Sequence, residues 1–317
     1  MLKYRLIFGP LMIAVAVGLV VADMRLDALV LTGTWQSLFL GRDYLPQGLI
    51  LTALVLILIP IAAVELARML ESVGVSGHRW IIAVGGIAGC MAVYSTPRIL
   101  TAPTGATIIA TVLVATFILT LLWHSRDAST KGVIAAAGAT MFGIALLGMM
   151  PGFYLAIRRW HSAWVVVGII LITKSGDIGA YFTGRAIGKH KLIPWLSPKK
   201  TWEGLAGAVV LATIVAVFFA WLSQVTSVTH TYQVDALTGA RRLQPVEYHM
   251  GWAAVAGVLF ALVGHAGDLM MSMFKRDAGI KDSGRAIPGF GGLLDVLDSP
   301  LLVAPIAYWL LELAKRM

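Results

Sequence analysis

Apolar runs close to twenty residues long recur from one end of this 317-residue chain to the other, and that recurrence limits the fold more than any other feature. A helix of about 20 apolar residues crosses the roughly 30 Å hydrocarbon core of a bilayer. A water-soluble domain can hide one or two such runs in its core, but not most of its length. Charge is correspondingly scarce. Only 13% of residues are charged, 58% are hydrophobic and the mean hydropathy is +0.83, against about a quarter charged in ordinary soluble domains. The chain reads as an all-α, polytopic integral membrane protein.

Nine spans are predicted, near residues 6–22, 48–64, 80–95, 105–123, 133–150, 162–183, 204–222, 251–274 and 292–313. Lys3 and Arg5 before the first run would also suit a signal peptide. With so many spans behind it, the run is read as the first membrane helix. Clusters such as Thr101-Ala102-Pro103-Thr104-Gly105 and Met150-Pro151-Gly152 are taken as boundaries, because Pro and Gly punctuate helices. Two parts follow: residues 1–160, holding helices one to five, and residues 161–317, holding helices six to nine with polar loops and expected to carry the chemistry. The sequence contains no convincing repeat and no low-complexity tract.

Cys90 is the only cysteine, which excludes an internal disulfide and thiolate metal centres. The formal net charge is +9. With so little soluble surface, membrane lipid head groups and phosphorylated substrates are the expected partners, and nucleic acid is not. Basic residues favour cytoplasmic loops. An N-terminus inside puts 15 of the 25 basic residues in cytoplasmic segments, nine outside and Lys174 within a span. Arg158, Arg159, Arg241 and Arg242 fall on the outer side against that trend. The loops after helices six and eight decide the orientation. A multi-pass protein of the cell inner (plasma) membrane with its polar loops in the cytoplasm is expected.

Ionisable residues inside a membrane are costly and mark functional sites. Helices one to five hold almost none; the last four differ. Lys174, Asp177 and Tyr181 recur at i, i+3 and i+7 on helix six, and so share a face. His265, Asp268, Ser272 and Lys275 form a similar stripe on helix eight. Helix nine opens with Asp295 and Asp298, one turn apart. With alternating helix directions, Asp177, Asp268, Asp295 and Asp298 come to similar depth near the cytoplasmic surface.

Two loops rich in Gly and basic residues flank these acids. The first runs from Gly184-Arg185 through Gly188-Lys189-His190-Lys191 to Ser197-Pro198-Lys199-Lys200-Thr201-Trp202-Glu203-Gly204. The second runs from Lys275-Arg276 through Lys281-Asp282-Ser283-Gly284 to Pro288-Gly289-Phe290-Gly291-Gly292. Carboxylates without thiolates suit Mg²⁺, which takes one or two carboxylates plus substrate phosphates. Lys and Arg hold phosphates, and glycines let the backbone approach them. Together these features point to metal-assisted phosphoryl or nucleotidyl transfer at the bilayer surface.

Plainer roles compete at several positions. Arg68, Arg79, Arg126 and Lys131 serve to set topology. Asp177 could simply pair with Lys174, His265 could be a core or bridging group, and Thr201 could be a helix N-cap with Trp202 an interfacial anchor. Asp268, Asp295 and Asp298 find no basic partner at helical spacing within the membrane, apart from Lys275 nearer the interface. Gly184 to Gly188 lacks the spacing and the Ser or Thr of a P-loop. Gly289-Phe290-Gly291 lacks the third glycine of a dinucleotide fingerprint.

The segment Ser272-Met273-Phe274-Lys275-Arg276, four residues, Lys281-Asp282-Ser283-Gly284, three residues, Pro288-Gly289-Phe290-Gly291-Gly292-Leu293-Leu294-Asp295-Val296-Leu297-Asp298 resembles the phosphatidate cytidylyltransferase (CDP-diacylglycerol synthase) family. Gly267-Asp268-Leu269 and the stretch from Asp177 to Gly204 also match, so the resemblance covers residues 177 to about 300. It implies that CTP and phosphatidate give CDP-diacylglycerol and pyrophosphate, with Mg²⁺ required. Carried onto this chain, it implies Asp268, Asp295, Asp298 and Asp177 as metal ligands, with Asp268, Asp295, Lys275 and Arg276 catalytic. Ser272, Lys281, Lys199, Lys200, Gly289, Gly291 and Gly292 would bind substrate, and Asp282 would orient Lys281 or the glycine loop. Two positions depart from the family pattern: Phe290 replaces a His and Val296 an Arg. A CTP-dependent lipid kinase, a cytidylyltransferase of another phospholipid, a transporter and an inactive scaffold are the competing readings. Oligomeric state is open, a homodimer included.

Overall fold

The computed structural model describes residues 2–38, 43–99, 102–127, 130–226, 229–234, 241–284, 286–287, 289 and 291–314. The helices are α1 (Leu2–Asp27), α2 (Thr34–Leu38), α3 (Leu49–Ser72), α4 (Arg79–Ile99), α5 (Ala102–His124), α6 (Val133–Ile144), α7 (Met150–Trp160), α8 (Ala163–Ile187), α9 (Trp202–Val225), α10 (Met250–Asp277) and α11 (Leu293–Ala314). Among the described residues, seven helices are long and apolar enough to cross a membrane: Leu49–Ser72, Gly105–His124, Val133–Trp160, Ala163–Ile187, Trp202–Val225, Met250–Asp277 and Leu293–Ala314. A shorter apolar helix covers Arg79–Ser95. These take up eight of the nine predicted positions, and α1 lies over the remaining one.

The multi-pass, all-helical reading therefore holds, with two additions in the loops. Antiparallel hairpins β1 (Lys191–Ile193) with β2 (Ser197–Thr201), and β3 (His230–Val234) with β4 (Arg241–Pro245), were not predicted. Strands of three to five residues carry too little alternation to register in a pattern dominated by spans.

Met150-Pro151-Gly152 is not a boundary. α6 runs into a π-helical turn at Ala145–Met149 and on into α7. Proline lacks the N–H that an α-helix needs from its interior positions. The π turn sits immediately before it, with Pro151 at the start of α7, so the irregular hydrogen bonding falls where the donor is missing. The neighbouring glycines serve packing. A Cβ on Gly152 would stand 2.8 Å from Val93 Cβ on α4, and one on Gly148 would overlap the backbone of Gly86.

α8, α9, α10 and α11 pack together around Val166, Ile169, Phe260, Val303 and Ala304, all buried. Ala208, Ala212, Ala216 and Ala220 form the buried seam of α9 at a spacing of four. Apolar burial does not favour helix association in lipid as it does in water, so small residues that allow close backbone approach take over. Gly179 of α8 meets the backbone of Gly207 of α9, leaving no room for a side chain. Gly179→Ala is expected to destabilise the protein by about 1–3 kcal/mol, read as a lower midpoint of thermal unfolding in detergent. Gly168→Ala, where a Cβ meets nothing within 4 Å, should leave the midpoint unchanged.

A second core joins both halves of the chain: Leu66 of α3, Ile82 of α4 and Leu146 of the π turn pack with Met271 of α10 and Leu294 of α11. Arg158 and Arg159, which break the topological charge trend, are both buried. Arg158 Nε lies 2.7 Å from Asp23 Oδ2, and its Nη2 pairs with Asp27, both on α1. Arg159 donates to the Tyr94 carbonyl at 2.7 Å and lies 4.9 Å from that ring's centre. Arginines engaged in this way are packing elements and carry no weight as loop charges. Arg241 and Arg242 lie in β4.

Candidate active site

The C-terminal ends of α8 and α10 and the N-terminal ends of α9 and α11 meet at one end of the antiparallel bundle. Asp177, Asp268 and Asp298, from α8, α10 and α11, gather there. Lys174 Nζ lies 3.1 Å from Asp177 Oδ2 and 3.5 Å from Asp298 Oδ1. The Ser299 hydroxyl stands 3.3 Å from Asp177 Oδ2 and 3.2 Å from Asp298 Oδ1, so its one proton is shared between them. The Ser299 backbone N–H donates to Asp298 Oδ1 at 2.6 Å. α10 packs closely on α11 at this point: a Cβ on Gly267, next to Asp268, would stand 2.5 Å from the Asp298 carbonyl oxygen. Asp298 is buried, whereas the side chains of Asp177 and Asp268 are about a third exposed, at 36% and 34%. The cluster thus has a closed floor and an open side.

Lys200 comes to this cluster from outside the bundle. It sits on β2, and its Nζ lies 2.7 Å from Asp268 Oδ2. The β1–β2 hairpin is fixed at its base by the start of α9. Thr201 accepts from the Gly204 N–H at 3.0 Å, an N-cap, and Glu203 lies 2.6 Å from His190 Nδ1 while accepting from the His190 N–H at 3.2 Å. The N-cap role weighed for Thr201 is therefore met. Trp202 is exposed beside it.

Asp295 belongs to a second centre, one turn before Asp298. Its Oδ1 lies 2.7 Å from Lys275 Nζ, and its Oδ2 accepts from Ser283 N–H at 2.8 Å, Gly292 N–H at 2.9 Å and Ser283 Oγ at 3.1 Å. The Gly292 bond is the backward half of a capping box, with Asp at the third helical position. Two backbone N–H groups hold Oδ2, and the single Ser283 hydroxyl proton is shared between it and Glu65 Oε2, so Oδ1 is the oxygen that can exchange its partner for a ligand. Lys275 lies two turns after Asp268 on α10 and Asp295 one turn before Asp298 on α11, so the two centres share the same pair of helices.

Around Asp295 the loop folds back on itself through a bridge between Ile287 and Gly291. Gly289 and Gly291 have φ of 84° and 99°, a region that favours glycine. Ser272 is half-buried, and Arg276, Lys281, Asp282 and Lys199 are exposed on the same loops. Val296 is half-buried on α11. Phe290, the other departure, lies outside the described residues.

Three features of this site escaped the sequence reading. Lys174 and Lys200 supply the cross-helix partners of Asp298 and Asp268 that helical spacing within one element could not reveal. Ser299 links two of the acids. The third is Glu65 of α3, buried, which accepts from the backbone N–H groups of Leu293 and Leu294 at 2.9 and 3.0 Å and from Ser283 Oγ at 3.1 Å. Its signal was present: Glu65 is the first charge after the uncharged stretch 49–64, and an intramembrane carboxylate is itself a functional pointer.

Among the described residues, no three His, Cys, Asp or Glu side chains stand as a ready-made metal cage. The donor set nevertheless suits a hard cation. Asp268 and Asp298 are adjacent carboxylates with Asp177 beside them, and Mg²⁺ commonly takes one or two carboxylates and completes its sphere with water and phosphate.

The model of one family, described as the cytidylyltransferase family, matches residues 28–314. The uncharacterised protein YnbB of Escherichia coli is 36% identical over 151 residues, 48% of this chain and 43% of that protein. The phosphatidate cytidylyltransferase of Haemophilus influenzae is 36% identical over 146 residues, 46% of this chain and 45% of that protein. That of Bacillus subtilis is 34% identical over 170 residues, 53% and 55% respectively. The chain spans about half the length of these relatives.

Proposed function

The chain belongs to the cytidylyltransferase family, and from that premise we propose that it transfers CMP from CTP to phosphatidate. The observation that carries this reading is the meeting of Asp177, Asp268 and Asp298 from three helices, each within reach of a lysine. An oxygen of the lipid phosphate forms a bond to the α-phosphorus of CTP, and the bond from that phosphorus to the bridging oxygen of the β-phosphate breaks. Pyrophosphate leaves and CDP-diacylglycerol stays in the membrane.

The attacking phosphate is already an anion, so it needs little help from a base. The difficulty is bringing it to a second anion. Lys199, Arg276 and Lys281, exposed on the flanking loops, suit the triphosphate tail. Lys200 and Lys275 can leave Asp268 and Asp295 to bind phosphate oxygens as charge accumulates on the leaving group. Magnesium held by Asp268 and Asp298, with Asp177 beside them, would neutralise and align the two phosphates. The closed floor of the cluster keeps these groups fixed, and its open side admits the substrates. Lysine-rich loops favour the cytoplasmic face, where CTP is available.

Purified protein in mixed micelles with phosphatidate and Mg²⁺ tests the proposal. CTP labelled at the α-phosphate should leave label on the lipid, and CTP labelled at the γ-phosphate should not. Lipid labelled only from the γ position would identify a kinase instead, and no labelled lipid from either would dismiss CTP chemistry on phosphatidate. Removing Mg²⁺ with a chelator should abolish transfer, and restoring it should return the activity.

A further inference from the structure

We infer that Glu65, in the half of the chain remote from the acidic cluster, is a positioning residue that fixes the glycine loop for the triphosphate of CTP. The inference rests on the cytidylyltransferase reading. Its physical basis is the start of α11. Gly292 stands immediately before that helix and has no side chain with which to cap it. The first N–H groups of a helix need acceptors and favour negative charge. Glu65 supplies both from α3, accepting from Leu293 N–H at 2.9 Å and Leu294 N–H at 3.0 Å.

The same carboxylate reaches the other end of the loop. Ser283 Oγ lies 3.1 Å from Glu65 Oε2 and 3.1 Å from Asp295 Oδ2. Ser283 is thus held between an acid of α3 and an acid of α11. The two glycines on either side of the contact show how closely Glu65 approaches. A Cβ on Gly284 would stand 2.7 Å from Glu65 Oε1, and one on Gly292 would stand 2.6 Å from Oε2. Both glycines leave space that the Glu65 carboxylate fills. Glu65 is 4% exposed and Ser283 6%, so water cannot substitute freely for the missing acceptor.

Lys281 and Asp282 lie directly before Ser283, and Gly289 and Gly291 close the loop, so Glu65 sets where these groups stand. Glu65 makes no hydrogen bond among the described residues to Asp177, Asp268 or Asp298. Its loss should therefore weaken capture of the triphosphate more than it slows chemistry.

In Glu65→Gln an amide nitrogen would face donors where a carboxylate oxygen now accepts. The KM for CTP should rise about tenfold, the scale of losses from displaced supporting groups, while kcat changes less than about threefold and the KM for phosphatidate is unaffected. Trypsin cleavage after Lys281, in protein without nucleotide, should accelerate. Glu65→Asp withdraws the carboxylate by about 1.5 Å and should relieve Gly284→Ala, so that the double variant binds CTP better than Gly284→Ala alone. This pair also serves if Glu65→Gln does not fold. An unchanged KM for CTP with unchanged cleavage would overturn the inference, as would a fall in kcat alone or strictly additive effects of Glu65→Asp and Gly284→Ala. If the unaltered protein does not turn over CTP, the proposed function fails, and the cleavage rates still judge the anchoring.

Discussion

Asp298→Asn is expected to lower CDP-lipid formation by at least about a hundredfold while the protein remains folded in membranes. Asp298 is the buried member of the acidic cluster and the one that touches the rest. It receives the Ser299 N–H and hydroxyl, lies 3.5 Å from Lys174 and packs by its carbonyl against Gly267, next to Asp268. Asn keeps the size and one acceptor oxygen, so the Ser299 contacts can persist. What disappears is the charge, and with it the adjacent pair of carboxylates that suits a divalent cation. Turnover assays with phosphatidate and Mg²⁺ read the effect, and the unfolding midpoint in detergent checks the fold. Asp43→Asn, an exposed acid far along the sequence from the cluster, is the control and should leave turnover unchanged. Turnover within a few-fold of normal in Asp298→Asn would remove that carboxylate from the chemistry.

The largest stability effect is expected far from the catalytic end. Arg158→Ala leaves Asp23 and Asp27 buried at 2% and 5% exposure without their guanidinium. Removing one partner of a buried ion pair costs about 3–5 kcal/mol, because the remaining charge stays in a low-dielectric surrounding. These acids also support the start of α3, whose preceding residue, Gly48, offers no side-chain cap. Asp27 accepts from the Gly48 N–H at 3.2 Å, and Asp23 accepts from the Ile50 N–H at 2.8 Å. The midpoint of thermal unfolding in detergent should therefore fall by about 5 °C or more. Combining Arg158→Met with Asp23→Asn and Asp27→Asn should recover part of the loss, since no charge is then stranded. A midpoint unchanged in Arg158→Ala would show that the triad contributes nothing.

Helix positions were legible because a span announces itself in composition, and the i, i+3 pairing of Lys174 with Asp177 was legible because it is local. The convergence expected of Asp177, Asp268, Asp295 and Asp298 followed from alternating helix directions; the structure gathers three of them and holds Asp295 one turn away, against Lys275, Ser283 and Gly292. Cross-helix partners were not legible. Nothing in the pattern of α10 says that Lys200, on a hairpin 68 residues earlier, comes to Asp268, and nothing in α11 says that Glu65, 228 residues before Leu293, caps it. Periodicity reports which face a residue occupies, not which neighbour that face meets. Met150-Pro151-Gly152 misled for a related reason: a proline usually ends a helix, and a π turn that accommodates it leaves no mark in the sequence. The capping relation between Asp295 and Gly292 could have been read, because it lies within one turn.

The order of the lysines along the chain bears on how the protein is made. Lys174 precedes both Asp177 and Asp298, Lys200 precedes Asp268, and Lys275 precedes Asp295. Synthesis runs from the N-terminus, so each acid leaves the ribosome after the cation that will neutralise it. A carboxylate entering hydrocarbon alone is expensive. Asp268, Asp295 and Asp298 each follow a counter-charge already present in the growing chain, whereas Asp23 and Asp27 precede theirs, Arg158, by more than a hundred residues.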